Sequence, residues 1–201
     1  MAGTASDDPS NFIPRFIQKL LDNPPLLDGE SRVEFKTLFL ELEWSDQQGQ
    51  KTAAEYAIAY QVTVLTWNLQ RLERMRVGLI RHQRPAAVAA LLRRTGEHVE
   101  PERGSLAFHA ANMEAQAYFV SDDVKKKTDD KFIAAGYAPD AVDMEALRLA
   151  LPNVAVIDRQ VTVAQKQLMV YLKELDRRDA NRAQHMRKVA MNVISRAQAA
   201  E

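Results

Sequence analysis

An all-α fold is the expectation for this chain, on three observations. Its 201 residues include only 7 glycines and 8 prolines, and Ala, Leu, Arg, Gln and Glu, the better helix formers, are plentiful. Apolar residues recur three and four apart over long stretches, which is the helical period. No stretch carries the two-residue alternation of a half-buried strand. The architecture these imply is two long amphipathic helices packed as an antiparallel coiled-coil-like hairpin, with several short capping helices. It reads as an elongated single domain over residues 12–199, after a disordered tail at 1–11. A hydrophobic share of 46% against 27% charged is that of a chain that buries a core, not a disordered one.

The elements follow in order. Pro14 suits the first turn of a short helix, PRFIQKLLD, which pairs Phe16 and Ile17 with Leu20 and Leu21. NPPLLDGES is a turn-rich connector. Ser31 and Glu34 have capping-box spacing ahead of VEFKTLFLELEW, and Thr52 and Glu55 repeat it at the start of a long helix over about 52–84. Within that helix Ile58, Val62, Leu65, Leu69, Leu72, Arg76 and Leu79 are spaced 4, 3, 4, 3, 4, 3. This is a heptad seam with one charged member, Arg76, which has to snorkel or meet an acid from the partner helix. Trp67 plugs the core beside the seam, and Trp44 packs where its helix meets the next.

Pro85 is expected to end or restart the helix, leaving short helices over about 85–151. The first of them stops at Gly96, the next runs from a Ser105 cap to about Lys126, and a third ends at Gly136-Tyr137. Pro152-Asn153 then precedes a long C-terminal helix over about 154–199. Its seam is Ile157, Val161, Ala164, Leu168, Tyr171 and Leu175. A continuous helix of that length would span about 69 Å, whereas a compact chain of this size is roughly 43 Å across. RRDANR (177–182) contains no Gly or Pro, so the expectation is a continuous helix whose second half is exposed or shared with another subunit.

The net charge is zero, but the charge is blocked. Residues 1–50 carry 4 basic and 9 acidic side chains, residues 63–94 carry 7 and 1, residues 95–157 carry 6 and 11, and residues 158–201 carry 9 and 5. Such blocks neutralise one another within a fold or between subunits, or one of them faces a charged partner. The basic block contains the candidate contact residues for nucleic acid or another partner: Arg71, Arg74, Arg81 and Arg84 off the seam, and Arg93 and Arg94 beyond Pro85. Arginines along a helix can neutralise phosphates. The competing structural reading pairs them with acids such as Glu34, Glu41 and Glu43.

Nothing else in the sequence announces chemistry. There are no cysteines, so neither disulfides nor thiolates arise. His82, His98, His109 and His185 lack convergent ligand spacing, and Pro101 interrupts the His98–Glu102 pair. Ser105 and Ser121 read as helix caps. Asp122/Asp123 and Asp129/Asp130 flank Lys125-Lys126-Lys127 as a solvated, salt-bridging face. Nucleophile-elbow, phosphate-loop, dinucleotide and zinc-protease motifs are absent. No cofactor, metal or small-molecule ligand is expected. The polar, acidic start is unlike a signal peptide and no apolar run reaches a bilayer span, so a cytoplasmic protein without membrane contact is expected.

Several stretches resemble a family. PLLDGES followed by EF, TWNLQRLERMRVGLI, AQAYFVSDDV, GYAPDAVDMEALRLALPNVAVIDRQ and YLKELDRR come in the order seen in helical proteins found largely in alphaproteobacteria, often near mobile elements. The resemblance covers about residues 26–190. Its most specific parts are Thr66–Ile80 and Ile157–Arg159. That family has no assigned activity, so the resemblance implies a fold class and no catalytic residues. Some of its proteins carry a basic, glycine-containing N-terminal segment where this chain is acidic.

The function expected is that of a non-enzymatic interaction or scaffold protein that self-associates or binds another protein. The alternatives are a nucleic-acid-binding protein using Arg71–Arg94, and an enzyme with a site its sequence does not announce.

Overall fold

The computed structural model describes residues 13–43, 52–96, 106–178 and 180–199. These residues form seven helices and no strand: α1 (Arg15–Asp22), α2 (Arg32–Glu43), α3 (Ala53–Thr95), α4 (Leu106–Tyr118), α5 (Asp122–Ala134), α6 (Ala141–Arg178) and α7 (Ala180–Ala199). The expected tail at 1–11, Trp44, His98, Glu102 and Ser105 lie outside the described residues.

Local chemistry sets several helix ends. Ser31 Oγ accepts from the Glu34 N–H at 3.2 Å ahead of α2. Thr52 and Glu55 form a reciprocal capping box. The Glu55 carboxylate accepts from the Thr52 N–H at 2.6 Å, and Thr52 Oγ1 accepts from the Glu55 N–H at 3.3 Å. Ser121 Oγ caps α5 by accepting from the Val124 N–H. The end of α5 is a Schellman motif. The Tyr137 N–H donates to the Phe132 carbonyl and the Gly136 N–H to that of Ile133, both at 2.9 Å. Gly136 takes the required positive φ of 82°. The Tyr137 ring then meets Phe132 edge to face, with centroids 6.1 Å apart.

Four expectations about helix limits are corrected. First, α3 does not stop near Pro85 but runs through it to Thr95. Second, α6 does not begin after Pro152 but at Ala141, and contains that proline. A proline inside a helix forfeits one backbone hydrogen bond and kinks the axis. Here burial outweighs that cost, because Ala87, Val88, Leu91 and Leu92 are buried beyond Pro85, and Ala146, Ala150, Val154 and Ile157 on both sides of Pro152. Third, the helix expected from Ser105 to Lys126 is two helices, divided where Ser121 caps α5. Fourth, α6 and α7 are not one straight helix. Asp176 and Arg187 form an ion pair, yet eleven residues of straight helix would separate their Cα atoms by about 16 Å, beyond the reach of both side chains. The absence of Gly and Pro in 177–182 did not decide the matter. Burial of Ala183, Met186 and Ala190 did.

The chain divides into two compact units, where the sequence suggested one domain. The first comprises Met1–Glu73 and Gln160–Glu201, the second Arg74–Arg159. The first unit's core draws Ile17 from α1, Phe35, Phe39 and Leu42 from α2, Val62, Leu65 and Leu69 from α3, Leu168, Leu172 and Leu175 from α6 and Met186 from α7. Phe35 is its hub, edge to face with Trp67 at 5.6 Å and Tyr60 at 6.1 Å. Ile58 and Val161 pack on this core half-buried, and Leu72 is half-buried too. The second unit's core joins Val88 and Leu91 of α3 with Ala111, Ala115 and Tyr118 of α4, Phe132 of α5 and Val142 and Ala146 of α6. Ile157 is buried and Leu79 half-buried within this unit's span. The seam arginine, Arg76, sits half-exposed with Nε 3.6 Å from Asp158 of α6, which satisfies both options its position allowed.

Candidate functional site

The six candidate arginines do not act as one free face. Arg71 belongs to the first unit and the other five to the second. Arg71 is held on Glu30 through two bonds, Nε to Oε1 at 2.9 Å and Nη2 to Oε2 at 2.6 Å. Its remaining donors reach Asn68 and the Pro25 carbonyl, each at 3.0 Å. Glu30 also accepts from the Trp67 indole at 3.1 Å and the Leu27 N–H at 2.9 Å. These donors, Arg71 foremost, hold the Glu30 carboxyl down at about 2 against the opposing effect of burial. Arg71 is thereby the pin that fastens the proline-rich connector to α3.

In the second unit Arg84 pairs with Asp143 at 2.8 Å and Arg94 with Glu145 at 3.0 Å. Arg148 shares Glu145 at 2.7 Å, and its hydrogen bond, with that of Arg94, brings the Glu145 carboxyl down to about 2. Arg93 lies 5.0 Å from the Phe108 ring centroid, a cation–π contact. Arg74 and Arg81 face solvent, though Arg74 also has an interaction within the chain. The structural reading of this block therefore holds for Arg71, Arg84 and Arg94, with one correction. Their acids are Glu30, Asp143 and Glu145, not Glu34 or Glu41, and the side chain of Glu43 lies outside the described residues. Glu30, Asp143 and Glu145 lie in a turn or on α6, so no spacing in the sequence ties them to α3.

Several other titratable groups are engaged within the fold. Lys125 pairs with Asp129 at i,i+4, 3.2 Å, as the charge pattern suggested. The Tyr118 hydroxyl donates to Asp129 at 2.7 Å, and burial together with that carboxylate pushes its pKa up to about 12. Asp129 borders a cavity of about 150 Å³ whose other walls are apolar, among them Phe132, Ile133, Pro139 and Val142. With both carboxylate oxygens engaged, Asp129 is a structural group there. His185 sits 3.0 Å from the Glu41 carbonyl. Among the described residues no three His, Asp or Glu side chains converge as metal ligands, and no helix is long and apolar enough to cross a membrane.

The surface that sequence reasoning missed is α4. Helix LAFHAANMEAQAY has one charged residue, Glu114, and Glu114 is taken up by Lys131 at 2.6 Å and Thr128 at 2.9 Å. The inner side of α4 is Ala111, Ala115 and Tyr118. Its outer side holds His109, Ala110, Met113 and Gln116, all exposed, half-buried Ala117, and then Val120 just past the helix end. Met113 is 68% exposed and Val120 88%. Surface helices ordinarily carry charge on the solvent side, and this one carries none. The signal lay in the sequence as a run from Leu106 to Val120 with a single charge. A search for charged motifs passes over it.

Compared with protein-family models, with curated proteins and with solved structures, the chain matches none of them.

Proposed function

We propose that the chain is a non-enzymatic interaction protein that binds another protein, or a second copy of itself, through an exposed helix surface. The observation that carries this reading is the uncharged outer side of α4, with Met113 and Val120 in solvent. Exposed apolar surface rimmed by polar residues is the mark of a protein-binding site. In the same reading α3 and α6 pack as an antiparallel coiled-coil-like hairpin that presents the shorter helices. The test is a photo-crosslinking amino acid placed at Met113 in cells. The expected outcome is a discrete crosslinked protein product, lost when Val120 is changed to Glu. Absence of any product from this position overturns the reading.

A second reading, nucleic-acid binding, is favoured by one detail of α3. Arg74 and Arg81 are exposed one heptad apart, and Gly78 between them has nothing within 4 Å of where a side chain would begin. That leaves room for a phosphate backbone to approach closely. Anisotropy with a labelled DNA duplex would then report binding that weakens with salt and vanishes in the double variant Arg74→Glu/Arg81→Glu. A duplex left unbound at low salt retires this alternative.

A further inference from the structure

The outer side of α4 has an internal order that exposure alone does not require. Ala110, Met113, Ala117 and Val120 are spaced 3, 4, 3, a heptad seam facing away from the core-facing seam of the same helix. The helical path extends to Val120, since the Val120 and Ser121 N–H groups both bond the Ala117 carbonyl, at 3.0 and 2.9 Å. Along the seam small and large residues alternate: Ala, Met, Ala, Val.

That alternation is self-complementary in one orientation only. In an antiparallel pair of helices the seam layers join an a position to a d position of the partner. With the two-fold axis opposite residue 115, Met113 meets the copy's Ala117, and Val120 meets the copy's Ala110. Every layer is large on small, the arrangement that interdigitates without void or clash. A parallel pair would set Met on Met and Ala on Ala, crowding one layer and hollowing the next. Electrostatics raise no objection. The seam is uncharged, and Glu114, the only charged residue of α4, is paired with Lys131.

We infer that the outer face of α4 docks a second copy of this chain, antiparallel, across the seam Ala110–Met113–Ala117–Val120. This rests on the interaction-protein reading above and names its partner. Four seam residues bury far less than a standard interface, so the dimer is weak and forms at high concentration.

Sedimentation equilibrium of the full chain, from about 10 µM to about 1 mM, tests it. The average mass should climb toward twice the monomer mass as concentration rises. Met113→Glu should abolish the climb. Ala117→Met should weaken association about 10-fold by setting methionine on methionine, and Met113→Ala should weaken it by a similar factor through an unfilled layer. The double variant Met113→Ala/Ala117→Met restores large on small and should recover most of the loss. A merely structural role for α4 would not produce that rescue, and circular dichroism of these surface variants checks that the helices persist. A wild-type chain that stays monomeric at the highest concentration overturns the second copy. Association untouched by Met113→Glu overturns the seam, and singles that weaken without rescue by the double overturn the antiparallel register. If the chain is monomeric while the Met113 crosslinker captures a different protein, the self-docking fails and the interaction reading stands. If neither occurs, both fail.

Discussion

Glu30 and Glu145 make an instructive pair, one in each unit. Both carboxyls are held at about 2 by arginine hydrogen bonds. Their surroundings differ. Glu30 and Arg71 are only 10% and 19% exposed at their side chains, and a tryptophan and a backbone N–H complete the cage. Glu145 is itself buried, but Arg94 and Arg148 stand 47% and 57% exposed. Water can replace Glu145 as the partner of either arginine, whereas it has little access to Arg71. Similar displacement of a pKa therefore need not mean similar stabilisation, because solvent screening discounts the open cluster and the closed one has no substitute for its missing half.

The largest expected effect follows at once. Glu30→Ala strands a shielded guanidinium and an indole N–H, and should cost about 3 kcal/mol in urea unfolding. Glu145→Ala should cost about 1 kcal/mol, since its arginines rehydrate. Equal losses would mean that exposure of the partners is not what separates the two sites.

Acid sharpens the same contrast. Each carboxyl has a folded pKa of about 2, below its ordinary 4.5. A group depressed in the folded state contributes stability that is full above the unfolded pKa and fades as pH falls toward the folded one. Unfolding free energy measured from pH 6 to pH 2 should therefore fall through the window between 4.5 and about 2. Glu30→Gln should flatten that fall more than Glu145→Gln. A steeper dependence on Glu145 would reverse the ranking of the two clusters.

What the sequence made legible follows the same division between local and distant causes. The Thr52–Glu55 box, the Ser31 and Ser121 caps and the Gly136 stop all depend on residues within a turn or two of each other, and each forms as read. The limits at Pro85 and Pro152, and the separation of α7, depend on what distant chain buries. Pro85 lies mid-helix because the residues beyond it fill the second core. The candidate arginines were legible as a charge block. Their partners were not, because Glu30 and Arg71 are brought together only when the connector folds onto α3. The α4 seam was legible in principle, since its spacing is local, but a charge-based search gives an uncharged stretch no weight.

The smallest effects come from two buried threonines, again one in each unit, and here even the sign should differ. Thr66 and Thr128 are both fully buried. Thr128 Oγ1 donates to Glu114 at 2.9 Å, which helps hold the Glu114 carboxyl below its ordinary range against burial. Thr66 Oγ1 has no hydrogen-bond partner among the described residues. Threonine to valine keeps the shape and removes the hydroxyl. At Thr128 that loses a hydrogen bond to a carboxylate and should destabilise by about 1 kcal/mol. At Thr66 it removes an unsatisfied buried group and should be neutral or stabilising by about 0.5 kcal/mol. Thermal melts of the two variants measured side by side decide it. A destabilised Thr66→Val would mean that this hydroxyl has a partner after all, most simply an ordered water within the first core.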